Sequence, residues 1–313
     1  MWGYFVGRLA IAVPTLFIVT IIVFGLQHLL PGDPALALLG EDRSPEAYAQ
    51  VRVQYNLDKP VPVQYALWIG NAARGDLGAS LRTRKPVTEL ILEKLPVTVQ
   101  LATMAMLIAL LIGIPMGILT AVKKDTAWDY IGNAVGMMGL SVPTFWMGIM
   151  LILLFSVRWG LLPASGYVSP FEDLGASLKV MIMPAFVLGA ALAATMMRHT
   201  RGAMLSVLRS DYVRTARAKG LGERRVVLRH ALRNALIPII TLGALQLGQL
   251  LSGAVLTEQV FTIPGFGKLV IDAVFNRDYA VVQGIVLVTA TAYILLNLLA
   301  DMAYFLVNPR LRG

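Results

Sequence analysis

Long apolar runs alternate with polar breaks along this chain, on a scale suited to a lipid bilayer. Runs of about 20 apolar residues are enough to cross a hydrocarbon layer roughly 30 Å thick. They occupy residues 9–30, 98–122, 131–157, 180–197, 235–256 and 281–306. The pattern predicts six helices, of which the fourth is the shortest. Pro14, Pro115, Pro143 and Pro184 fall inside these runs; each removes a backbone donor and can bend its helix, as a static bend or as a hinge. Gly113 with Gly117, and Gly132 with Gly136 followed by Gly139, carry the spacing of small residues that lets helices pack closely.

Residues 31–97 form the one sizeable polar stretch, marked by turn signals at Pro31-Gly32-Asp33-Pro34 and Lys59-Pro60-Val61-Pro62. Short helices are expected there, for example from Pro45 to Tyr55, packed on the outer face of a helix bundle. The stretch is too short to build a large core of its own. Residues 1–30 then read as an N-terminal membrane helix, 31–97 as an extracytoplasmic segment, and 98–313 as a five-helix core with a cytoplasmic loop at 198–234. The first run also merits comparison with a signal peptide, because Arg8 precedes it and Ala35-Leu36-Ala37 fits a small-x-small cleavage pattern. A signal peptide's apolar region is only about 7–15 residues long, and Pro34 stands just before the site, so a retained helix is expected.

Composition agrees with the pattern. Over 313 residues, 57% are apolar and only 14% charged, with a mean hydropathy of +0.69, whereas soluble proteins carry about 25% charged residues. No cysteine is present, and the histidines are His28, His199 and His230, which argues against disulfides and metal cages. The net charge of +9 is not spread evenly. An even number of spans puts both termini on one side, and the loops on that side hold a net +11 against −1 on the other. Basic loops beside membrane helices face the cytoplasm, so both termini are expected there, and the charge sets topology rather than marking a nucleic-acid surface.

Polar residues within the spans are sparse. Gln246, Gln249 and Ser252, three apart, drift slowly around one face of a helix and read either as a pathway wall or as interhelical hydrogen bonds. Asp301 lies near a helix end, where snorkelling or pairing with Arg310 explains it better than a proton relay. Ion-coupled carriers need titratable groups at mid-depth; their scarcity argues against an ion-coupled pump, and a channel or self-sufficient secondary carrier stays as the rival reading, one that would work without partner subunits. Enzyme readings fare no better. Gly139-Leu140-Ser141-Val142-Pro143 lacks the last glycine of a nucleophile elbow. Gly267-Lys268 is followed by Leu269, and Thr262 stands where a phosphate-binding loop begins with glycine.

The densest chemistry lies between Arg198 and Arg233, with ten basic and two acidic residues. Ser210 is a candidate N-cap and Asp211 suits the positive end of a short helix reaching Lys219, which Gly220 and Gly222 would stop. Tyr212, Ala216 and Gly220 then share a face at i, i+4 spacing, a bulky ring followed by two small residues. A lipid-binding basic loop would account for the charge but not for the small residues between the charges.

Here the sequence resembles the permease subunits of binding-protein-dependent ABC importers, and within them the first of the two permeases of the dipeptide/oligopeptide/nickel family. Arg214-Thr215-Ala216-Arg217-Ala218-Lys219-Gly220 is similar to that family's cytoplasmic EAA loop. It departs from the general pattern in having Arg214 where glutamate is usual and Arg233 where proline is usual, with Pro238 five residues on. The likeness extends along the chain through Leu30-Pro31-Gly32-Asp33-Pro34-Ala35, Leu57-Asp58-Lys59-Pro60, Gly75-Asp76-Leu77-Gly78, Ser141-Val142-Pro143-Thr144-Phe145-Trp146, Glu258-Gln259-Val260-Phe261, Pro264-Gly265-Phe266-Gly267 and Asn308-Pro309-Arg310.

The resemblance implies an all-α integral membrane protein of six transmembrane helices with the type I ABC importer permease fold (MetI-like). It implies pairing with a second homologous permease, two ABC ATPase subunits below and an extracytoplasmic substrate-binding protein above, in the bacterial inner membrane. No cofactor is expected on this chain, since ATP and Mg would sit on the ATPases. The short helix would be the coupling helix, with Tyr212, Ala216 and Gly220 supplying docking shape, Asp211 and Thr215 flanking them, and Arg214, Arg217 and Lys219 orienting it by charge. Glu258, Phe261 and Phe266 follow the fifth helix on the outer side, as a gate, a contact for the binding protein, or a structural turn. Di- or oligopeptides are the expected cargo, with nickel chelates, glutathione or another small solute as alternatives.

Overall fold

A computed structural model describes residues 2–29, 35, 39, 44–54 and 56–307 of the chain. Over their described residues the six apolar runs fall on helical segments, the third divided between two helices and the fifth passing a break at Ala254. The elements are α1 (Trp2–Leu29), α2 (Pro45–Gln54), α3 (Val61–Ala72), α4 (Val87–Val122), α5 (Ala127–Ser141), α6 (Thr144–Leu151, continuing as a π-helix over Ile152–Arg158), α7 (Leu174–Leu208) and α8 (Asp211–Ala218). Next come α9, which runs from Glu223–Arg225 through a π-helical stretch at Val226–Ala231 into Leu232–Gly253, then α10 (Val255–Val260), α11 (Phe266–Phe275) and α12 (Tyr279–Val307). Among the described residues, Val87–Val122, Leu174–Leu208, Glu223–Leu250 and Tyr279–Leu299 are long and apolar enough to cross a membrane. The bent pair α5–α6 makes a fifth span if it is counted as one, and α1 adds the apolar run Ala10–Gly25.

Two expectations change. The third run is not a single rod, because α5 and α6 meet at 98°. Pro143 cannot donate, and it forces Val142 into an extended conformation with φ −77° and ψ 123°, which ends one helix and starts the next. The fourth run is the core of a 35-residue helix rather than the shortest span. Its basic end stays helical because Met204 is buried with Ala121, Val227, Ala231 and Ala235, packing that hydropathy cannot register.

The chain divides into two compact units, Met1–Pro96 with Lys268–Ile294, and Val97–Gly267 with Leu295–Gly313. In the first, α3 lies on α1 through Phe24, Tyr65 and Trp68, whose ring centroids are 5.4–6.1 Å apart, and Tyr65 and Thr20 hydroxyls share a 2.7 Å hydrogen bond. The turn after α3 is fastened by buried Asp278, whose carboxylate accepts from the Ser80 hydroxyl at 2.5 Å and from the Leu81 N–H at 3.1 Å.

The second unit is organised around α7, which is buried through most of its length. Its contact with α4 is made at backbone distance. A Cβ added to Gly113 would stand 2.7 Å from the Ala193 carbonyl oxygen, and one on Gly117 2.7 Å from that of Met197. From the other side, a Cβ added to Gly189 would stand 2.8 Å from the Ala105 carbonyl oxygen. The glycine spacing read from the sequence thus serves close packing, and Gly132 and Gly136 of α5 continue it against Thr120 and Met197.

Beyond α9 the chain is tied by a buried acid. Glu258 has no exposed surface; its carboxylate accepts from the Thr98 hydroxyl at 2.5 Å, and that hydroxyl accepts in turn from the Phe266 N–H at 2.8 Å. Gly265 and Gly267 sit so close to the carboxylate that a side chain on either would collide with it.

Gly117→Ala is expected to destabilise the purified protein by about 1–3 kcal/mol through overpacking, while Gly202→Ala, where a new Cβ meets nothing within 4 Å inside a helix, should stabilise it by about 0.5–1 kcal/mol. Gly265→Ala should lower the melting temperature, but far less in a Glu258→Ala background, where the colliding side chain is gone. Equal losses in both backgrounds would refute the cradle.

Candidate coupling site

The short basic helix forms where the sequence puts it. α8 spans Asp211–Ala218 after Ser210, which is extended at φ −72°, ψ 152° and accepts from the N–H groups of Val213 at 3.1 Å and Arg214 at 3.2 Å through its backbone carbonyl. The Ser210 hydroxyl turns the other way and donates to the Val207 carbonyl at 2.6 Å, so it serves the end of α7 rather than the start of α8.

The far end is a Schellman turn. Gly220, at φ +77°, donates to the Arg217 carbonyl at 2.9 Å, and Leu221 donates to the Ala216 carbonyl at 3.4 Å. Only a residue without Cβ takes this left-handed position freely. Leu221 then folds back onto the buried trio Val213, Ala216 and Val226, the apolar contact that usually accompanies the motif.

This packing decides which face α8 shows. Val213 is fully buried and Ala216 is 7% exposed, so the expected row of Tyr212, Ala216 and Gly220 is not presented as one docking surface. Ala216 is a seat for Leu221 of its own chain, and Gly220 lies past the end of the helix. The exposed ridge is Asp211, Arg214, Thr215 and Ala218, related by i, i+3, i+4 and i+7 and opposite the buried pair. Tyr212 and Lys219 stand on one flank. Tyr212 is half exposed, and its hydroxyl accepts from Asn234 Nδ2 of α9 at 2.7 Å.

On the other flank Arg217 grips Glu223 in a fork, with Nε to Oε1 at 2.7 Å and a second bond at 3.2 Å. That hydrogen bond, more than charge attraction alone, raises the guanidinium pKa above its ordinary value. Arg217 is therefore committed to its own loop, while Arg214 has only an exposed, 3.5 Å contact with Asp211, which solvent and salt screen. Beside α8, Gly222, Glu223, Arg224, Arg225 and Leu228 border an open depression of about 540 Å³. The loop thus offers a short rigid ridge, free cations and a shallow recess, all braced on α7 and α9.

The second group of expected residues is scattered. Gln246 is buried and Gln249 exposed, so they do not share one wall, and the Ser252 side chain, like those of Asp301 and Arg310, lies outside the described residues. Glu258 is enclosed as described above, and Phe261 is 2% exposed with its ring 3.1 Å from where a Cβ on Gly148 would lie. Neither is open to a binding protein in this conformation; of the readings left open, the structural turn is the one the packing supports. Among the described residues, no three His, Cys, Asp or Glu side chains gather as metal ligands. Sequence reasoning passed over Val213, Leu221 and Asn234, which hold α8 in place. The i, i+3 pairing of Val213 with Ala216 was the available signal for its buried side.

Comparison with known proteins accords with this frame. Residues 113–313 match the family described as binding-protein-dependent transport system inner membrane component, and residues 1–102 match its N-terminal companion. The dipeptide transport system permease protein DppB of Escherichia coli K12 is 43% identical over 336 aligned residues, covering 100% of this chain and 99% of that protein. The di/tripeptide transport system permease protein DppB of Pseudomonas aeruginosa is 44% identical, with the same coverage. A chain of the MetNI methionine ABC transporter, solved in inward-facing conformations, superimposes with a TM-score of 0.58 over 70% of this chain and 96% of its own length, at 18% identity. With family segments covering nearly its whole length and several helices long and apolar enough to cross a membrane, the chain belongs to the multi-pass inner membrane components of binding-protein-dependent transport systems.

Proposed function

We propose that the chain is a permease subunit of an ATP-driven peptide importer, forming the translocation pathway with a second homologous permease. Two ATPase subunits lie on the cytoplasmic side and a substrate-binding protein delivers di- or oligopeptides on the other. The names and full-length similarity of the relatives support peptide as cargo. The observation that carries the coupling role is the geometry of α8: a ridge exposed along one side and fastened along the other by Val213, Ala216, Leu221, Tyr212 and Arg217.

In this reading residues 1–30 and 98–313 supply the membrane helices, 31–97 is extracytoplasmic, and both termini are cytoplasmic, as the +11 against −1 charge balance favours. Asp211, Arg214, Thr215 and Ala218 face the ATPase, with Lys219 and Tyr212 at the edge. Arg217, Ala216 and Gly220 hold the ridge rather than touch the partner. Closure of the ATPases around ATP shifts α8, and because α8 is braced on α7 and α9, the shift becomes rigid-body movement of those helices. Energy is supplied by the ATPases; this chain converts displacement into access.

Since the protein has no cysteine, Ala218→Cys introduces a unique thiol. In the assembled transporter it is expected to cross-link to an ATPase subunit, and failure with reagents of every length would overturn the placement. Thr215→Trp with Ala218→Trp should leave insertion and melting temperature unchanged while lowering ATP-driven dipeptide uptake at least tenfold. Gly220→Val acts differently: it strains the left-handed turn by roughly 1–2 kcal/mol, so limited proteolysis should open the loop near residue 220. Normal uptake by the double tryptophan variant would remove α8 from the mechanism.

A further inference from the structure

Near the other end of the cytoplasmic surface, Asp129 in the first turn of α5 meets Arg201 of α7. The pair is bidentate, with Arg201 Nε donating to Oδ1 and a terminal nitrogen donating to Oδ2, both at 2.8 Å. Asn133 Nδ2 donates to Oδ1 at 2.7 Å, and the Asp125 N–H to Oδ2 at 3.1 Å. The Asp129 side chain is 5% exposed and that of Arg201 24%, against 62% and 40% for Glu223 and Arg217 in the other forked pair described above. Burying a charge pair is a poor way to stabilise a fold, because desolvation offsets the attraction and apolar residues of similar size do as well. Its distinctive property is direction: a forked guanidinium–carboxylate contact accepts one relative position of its two helices.

That property is needed at this seam. Elsewhere α5 rests on its neighbours through glycines, with the Thr120 methyl seated at Gly132 and the flexible Met197 side chain at Gly136, apolar contacts that lack the directionality of a charged fork. Arg201 lies only ten residues before Asp211, on the helix that leads directly into α8. Asp129 lies at the start of the helix that ends at the 98° break, beyond which Gly148 of α6 packs on Val260 and Phe261.

We propose that the Asp129–Arg201 pair is a positioning contact of transport, which makes α5 follow α7 when the coupling ridge is displaced and so carries the movement to the α5–α6 break. This rests on the coupling role of α8 argued above. Without the fork, α7 still moves with α8 but slips past α5.

The test uses the complete transporter, with the second permease, ATPases and binding protein, in liposomes. Asp129→Leu combined with Arg201→Met replaces the pair by apolar side chains of similar length. Assembly and melting temperature should be retained and ATP hydrolysis should continue, while dipeptide moved per ATP falls at least tenfold. Nitroxide labels at Met137 and Ser206, both exposed, should keep one separation with and without ATP in the parent protein and two separations in the variant. Arg201→Lys, which keeps charge but loses the fork, should fall between. A double variant that moves peptide per ATP as the parent does, with an unchanged label separation, would reduce the pair to a structural contact. If the parent complex itself moves no peptide, the functional reading fails, and the label separation still decides whether the pair holds α5 to α7.

Discussion

Backbone-to-backbone contact along α7 is the constraint on which the larger unit depends. Helices in lipid gain little from hiding apolar side chains from one another, so they associate through closeness and shape. Gly113 and Gly117 bring α4 onto carbonyls of α7, and Gly189 returns the approach one layer away. With α7 held this tightly, its basic extension past Arg198 is a stiff arm rather than a frayed end, and whatever is attached to that arm inherits its position.

What is attached is α8, a helix too short to be stable alone. Its stability comes from three kinds of fastening: the apolar cluster under Val213 and Ala216, the Tyr212 and Arg217 hydrogen bonds to α9 and its first turn, and the glycine turn at Gly220. These fastenings lie on the inward side, the flanks and the end of the helix, and the outward residues bond only among themselves, through Arg214 with Asp211 and the Thr215 hydroxyl with the Asp211 carbonyl. A surface helix built this way can take a push without changing shape, and that is the physical requirement for passing motion between subunits.

The turn between α10 and α11 is governed by a different constraint. A carboxylate with no exposed surface is costly unless it is hydrogen-bonded, and Glu258 is placed where Thr98, the Phe266 N–H and two glycines form a fitted recess. The acid thereby sets the turn between α10 and α11. The packing of Gly148 on Phe261 sets this fitted turn against α6, the helix that follows the 98° break, so rigidity and bend occur side by side.

By itself the sequence determined the membrane class, the location of the six apolar runs, the charge asymmetry and the short basic helix with its glycine stop, because these follow from local composition and periodicity. The family likeness was legible from ordered motifs for the same reason. Tertiary structure alone decided that Pro143 splits a run into two helices at 98° while Pro184 leaves α7 continuous; the two prolines are chemically alike, and only neighbouring packing distinguishes them. It also decided that Ala216 faces inward, that Glu258 is enclosed rather than open, and that Asp129 finds Arg201 72 residues away. Burial and pairing depend on which elements meet in space, and one-dimensional spacing does not contain that information.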